Sequence, residues 1–123
     1  MMQRDMTYTF DSICKIVLYE GLPETKTALT QVEFELASVR ALGGHLIKFV
    51  HDESLGHSVV RLRGEIRRLL RVCQKEGRVI LMIPGEKFSM SDAMTRYLVD
   101  KCPQVELDTD MDKKNEFVTI VYL

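Results

Sequence analysis

Apolar positions follow two rhythms along this chain, and the switches between them mark its elements. Residues 13–19 (ICKIVLY) are β-branched and apolar, and Gly21-Leu22-Pro23 stops the run, which predicts a largely buried strand. Over residues 24–42 the spacing changes to three and four, at Ala28, Leu29, Val32, Leu36, Val39 and Leu42. This predicts an amphipathic helix, with Pro23 tolerated at its first turn and Gly43-Gly44 as its stop. A second strand follows at 45–51 (HLIKFVH), then a polar loop (DESLGH) whose Ser58 can cap the next helix. Residues 59–76 are again helical in period, with Val59, Leu62, Ile66, Leu69, Leu70 and Cys73 on one side and Gly77 as the terminator.

Residues 78–83 (RVILMI) are apolar almost throughout, the pattern of a central parallel strand covered on both faces, and Pro84-Gly85 closes it. Ser89 or Ser91 can cap a third helix reaching Lys101, which would bury Met94, Tyr97 and Leu98, and Pro103 prevents its continuation. Residues 105–110 (VELDTD) alternate and 117–123 (FVTIVYL) are β-rich, so a hairpin through MDKKNE is expected. The order βαβαβαββ reads as an α/β domain: a layered mixed sheet of about five strands, three of them parallel and two in the carboxyl-terminal hairpin, with three helices. At 123 residues the chain has the size of one domain, 1–123.

Composition narrows the class. Hydrophobic residues at 46% and charged residues at 28% exclude disordered and collagenous chains. No apolar run approaches the roughly 18 residues of a membrane span, and MMQRDMTYTFDS lacks a signal-peptide core, so a soluble, cytoplasmic protein with no membrane partner is expected. Cys14, Cys73 and Cys102 form no CxxC pair and lie in apolar-periodic segments, as buried thiols do.

The net charge of −1 hides a basic middle, because residues 45–88 carry nine basic and five acidic groups. Arg61, Arg67, Arg68, Arg71 and Lys75 fall between about 240° and 360° on the wheel of the second helix, opposite its apolar arc. Such a stripe matches phosphate contacts in nucleic-acid binding, and equally a solvated outer face offset by Glu65 and Glu76. The ends of the three parallel strands supply a second group of candidates. Glu20, His51, Asp52, Glu53, Gly85 and Lys87 would line a pocket outside the carboxyl edge of the sheet, where open α/β sheets bind ligands. His51 and His57 are candidate metal ligands beside Asp52 and Glu53, although their spacing fits no defined metal motif. Gly85 ahead of a helix, with Lys87, could cradle an anion. GxxxxGK(S/T), GxGxxG and GxSxG are all absent, so no nucleotide or dinucleotide cofactor is implied and nucleophilic hydrolase chemistry has no support.

These residues resemble a family. IVLYEGLPETKTALTQVEFELASVRALGGHLIKFVHDESLG is similar to the small MutS-related (Smr) domain, with VLYEG in place of its LDLHG motif and FVHDESLG in place of HGKG. A later register also fits and is preferred. There HLIKFVHD stands for LDLHG, Pro84-Gly85-Glu86-Lys87 for HGKG, and the rest of the chain for the closing helix, turn and strand. Residues 45–123 are then the Smr-like core, and 1–44 an added strand-helix unit. The resemblance implies nucleic-acid binding, while the histidine missing from the second motif argues against nuclease activity. A divergent, non-catalytic nucleic-acid-binding or regulatory module is therefore expected. The alternatives are a small-molecule or anion-binding protein using the strand-end crevice, and a homo-oligomeric assembly module pairing through the carboxyl-terminal strand.

Overall fold

The computed structural model describes residues 13–18 and 24–123. Its elements are β1 (Ile13–Leu18), α1 (Thr25–Ala41), β2 (Leu46–His51), α2 (His57–Lys75), β3 (Leu81–Pro84), α3 (Ala93–Lys101) and β4 (Val118–Tyr122). Short 3-10 turns lie at Glu53–Leu55, Gly85–Lys87 and Pro103–Leu107. The four strands form one mixed sheet in the order β1-β2-β4-β3. β1 and β2 are parallel, from Ile13 opposite Leu46 to Leu18 opposite His51. β4 runs antiparallel to both of its neighbours, with Thr119 opposite Phe49 on β2 and Ile120 opposite Ile83 on β3.

Period-two alternation divides the sheet between two cores. Cys14, Ile16, Leu18, Ile47, Phe49 and Val121 face α1 and α2, where they meet Val32, Val39, Leu62, Ile66 and Leu70. Leu46, Leu81, Ile83 and Ile120 face the other way and pack with Leu98, Cys102 and Val105 around α3. All three cysteines are buried, as the sequence predicts. Glycine enables the entry and exit of α2: Gly56 precedes it at φ 64° and Gly77 follows it at φ 79°, a region that side chains disfavour.

Five expectations are corrected. Residues 105–110 form no strand. Asp108 and Asp110 instead turn inward to the buried Lys48, whose Nζ donates at 2.9 Å and 2.8 Å, so their alternation marks an ion cluster and not a ladder. Burial opposes the Lys48 charge, but the two carboxylates outweigh it and hold its pKa above the ordinary lysine value. No terminal hairpin forms, and the sheet has four strands, not five. The second correction concerns β3, which runs in the direction of β1 and β2 yet pairs with β4 alone, so it is an edge strand. Its continuous apolar sequence arises because Leu81 and Ile83 enter one core while Met82 packs on the other.

The third is that β4 is bonded on both flanks and offers no free edge for pairing with another copy. The fourth is helix capping. α2 begins at His57, ahead of Ser58, with no side-chain cap, and α3 is capped by Asp92, whose carboxylate accepts from the Thr95 amide at 3.0 Å. The fifth follows from the start of α3 at Ala93, which turns Thr95 and Leu98 inward and leaves Met94 and Tyr97 exposed. No helix among the described residues is long and apolar enough to cross a membrane.

Candidate functional site

The carboxyl ends of β2 and β3 leave the sheet at the same edge, since both strands run antiparallel to β4. Glu20 lies outside the described residues. Of the other predicted residues, His51 and Arg67 belong to an internal polar chain and Arg71 and Lys87 to an external crevice.

The internal chain begins at His51. Its ring is buried, and Nε2 lies 2.9 Å from Thr119 Oγ1, which also accepts from Arg67 Nε at 3.0 Å. Arg67 donates further to the carbonyls of Val118 (2.9 Å) and Glu116 (3.2 Å), and its guanidinium pairs with Glu86 at 3.0 Å. The Thr119 hydroxyl has one proton and two lone pairs, so it either donates to His51 Nε2 or accepts from it, and the tautomer of the ring decides which. Whichever neutral tautomer the ring adopts, Nδ1 is buried and meets no partner among the described residues. Burial, followed by the charges of Arg67 and Arg63, lowers the His51 pKa to about 3. Burial raises the Glu86 carboxyl, but the hydrogen bond and charge of Arg67 outweigh it and hold that group below the ordinary carboxylate value.

Arg67 is thus removed from the solvent-facing stripe. On the wheel it stands at the border of the basic arc, about 60° from Leu70, and α2 lies on the sheet so that this border covers the start of β4. The exposed cations of α2 are Arg61, Arg68, Arg71 and Lys75. Arg68 pairs with Glu65 at 2.9 Å, whereas no salt bridge among the described residues engages Arg61, Arg71 or Lys75.

The external crevice, of about 280 Å³, lies along β3. Arg71 and Gln74 of α2 form one wall, Met82, Ile83 and Pro84 the floor, and Lys87, Asp92 and Met94 the other wall. Two cations expected in different places, one on the basic helix and one at a strand end, therefore share a single opening. In a cavity of about 310 Å³ beside α1, Arg78 pairs with Glu33 and with Glu76, and Arg40 donates to the Arg78 carbonyl.

Asp52, Glu53, His57 and Gly85 lie outside both groups. Asp52 Oδ1 accepts from the Ser54 amide and hydroxyl at 3.0 Å and 2.7 Å and caps the turn after β2, while Glu53 and His57 are exposed. Gly85 is buried, with Asn115 and Val118 packed where a side chain would start. No group of three or more His, Cys, Asp or Glu able to hold a metal occurs among the described residues. Sequence reasoning missed Thr119, Gln74, Asp92 and Met94. Only Asp92 carried a signal, as a capping residue type three positions before Thr95.

The neutral state of His51 makes a pH prediction. The unfolded chain takes up a proton near pH 6.5 and the folded chain only near pH 3, so stability is complete above pH 6.5 and falls as pH drops through that window. The loss attributable to His51 is about 2 kcal/mol between pH 7 and pH 5, measurable by urea unfolding. The imidazole resonances of His51 should remain those of a neutral ring at pH 5; titration near pH 6.5 would refute the assignment.

Compared with protein-family models, with curated proteins and with solved structures, the chain gives no match.

Proposed function

We propose that the protein is a non-catalytic module that binds the phosphate backbone of nucleic acid with the exposed cations of α2 and Lys87. The observation that carries this reading is the meeting of Arg71 and Lys87 in one crevice with no counter-charge paired to either among the described residues. Arg61 to Lys75 spans about 21 Å at 1.5 Å per residue, which covers about six phosphates of one B-form strand. Releasing the counterions of three or four phosphates makes affinity strongly salt-dependent, with a log–log slope of roughly −3.

The resemblance to Smr domains belongs to this proposal, and strand pairing supports the earlier of its two registers. In that register the two motif positions follow β1 and β2, which pair directly with Leu18 opposite His51. In the later register β4 lies between the two motif-bearing strands. The histidine kept in FVHDESLG is then His51, and its burial supports binding without catalysis.

Arg71→Glu with Lys75→Glu is expected to weaken binding of a fluorescein-labelled oligonucleotide at least tenfold in 50 mM salt, read by anisotropy, with melting temperature unchanged. Arg67 is left intact in this variant because its loss would destabilise the fold. Undiminished affinity would remove the reading. Thermal stabilisation by inorganic phosphate or a phosphorylated metabolite, without any oligonucleotide binding, would favour the rival in which the crevice holds a small anion.

A further inference from the structure

We infer that the crevice along β3 accepts one unpaired nucleotide of the bound strand and selects a base bearing an exocyclic amino group. This rests on the nucleic-acid reading above and adds what that reading lacks, a preference for single strands and for base type. The crevice is bipolar. Arg71 and Lys87 suit a phosphate, but Asp92 in the same lining would repel one. Asp92 is half satisfied: Oδ2 accepts from the Thr95 amide at 3.0 Å and hydroxyl at 3.2 Å, and Oδ1 has no hydrogen-bond donor among the described residues. A carboxylate oxygen left over in this way accepts from an amino group, the pairing by which Asp reads cytosine N4.

Apolar side chains share the lining with these charges. Met94 and Pro84 offer a thioether and a ring to a base face, and Met94 is exposed. At about 280 Å³ the opening lies just under the usual range for ligand cavities, so it fits a single mononucleotide-sized group. Tyr97, exposed one turn further along α3 with Lys101 5.4 Å from its ring centroid, continues the wall toward a neighbouring base. In a duplex the base faces are stacked on their neighbours, so only an unpaired nucleotide can enter the crevice.

The test is anisotropy on the full chain at 50 mM salt with twelve-residue oligo-dC, oligo-dT and a mixed duplex of equal length. Wild-type protein should bind oligo-dC at least tenfold more tightly than oligo-dT or the duplex. Asp92→Asn keeps a capping residue for α3 but turns the spare acceptor into an amide donor. It should abolish the dC-over-dT preference while the melting temperature holds. The Met94 methyl resonance should shift when oligo-dC is added to wild type. Equal affinity for all three probes, an unaltered preference in Asp92→Asn, or an unmoved Met94 resonance would each overturn the inference and leave backbone binding standing. Failure of every oligonucleotide to bind would instead overturn the parent reading, and this one with it.

Discussion

Replacing Arg67 with methionine is expected to destabilise the protein by roughly 3–5 kcal/mol, although methionine retains much of the apolar stem. The guanidinium satisfies the Thr119 hydroxyl and the carbonyls of Glu116 and Val118, groups that lie around the start of the central strand. Removing it takes the side-chain donor from the buried Val118 carbonyl and leaves the Thr119 oxygen with His51 alone, at about 1–3 kcal/mol each, whereas the Glu116 carbonyl keeps Arg63. Glu86 contributes less to the loss, because its side chain is 40% exposed and regains water. Urea denaturation measures the change, and adding Glu86→Gln to the methionine variant should make little further difference. A variant within 1 kcal/mol of wild type would show that these hydrogen bonds are not what fixes β4 beneath α2.

Gly85→Ala should cost about 3 kcal/mol, the upper end for forcing volume into a packed region. Gly85 has an ordinary backbone conformation, so the expected loss is steric. An added methyl would overlap the Asn115 carbonyl oxygen and come within 2.5 Å of Val118 Cγ2 and 2.7 Å of the Val118 oxygen. Two of those three atoms are backbone, which cannot rotate away, so residues 115–118 would have to move and carry the Arg67 acceptors with them. Thermal melting reads the effect. Wild-type stability would mean that this segment yields easily and that the glycine is not required for close approach.

Much of the fold was legible because burial imposes a period. The segments of α1 and α2 and the strands at β1, β2 and β4 were visible in the spacing of Ile16, Leu36, Phe49, Ile66 and Val121 alone. The alternation of VELDTD deceived, because Asp108 and Asp110 share a face for an electrostatic reason and their partner, Lys48, is about sixty residues away in sequence. The place of β4 between β2 and β3 was illegible for a related reason: a strand's pattern reports how many of its faces are covered and not which strands flank it. The candidate site divided along the same line. The basic stripe on α2 was readable from its period, whereas the burial of Arg67 depended on the seating of the helix over Thr119, and the crevice required Lys87 and Arg71 to meet around the edge of the sheet.

The insertion of β4 has a consequence for synthesis. While a ribosome is still making residues 24–110, β2 and β3 have no hydrogen-bonded strand neighbour in common, and both cores lack a wall. Val121 and Ile120, one for each core, arrive together and close both at once. The two halves of the molecule therefore gain their shared stability in one late event, and every earlier nascent chain presents apolar surface to chaperones and proteases.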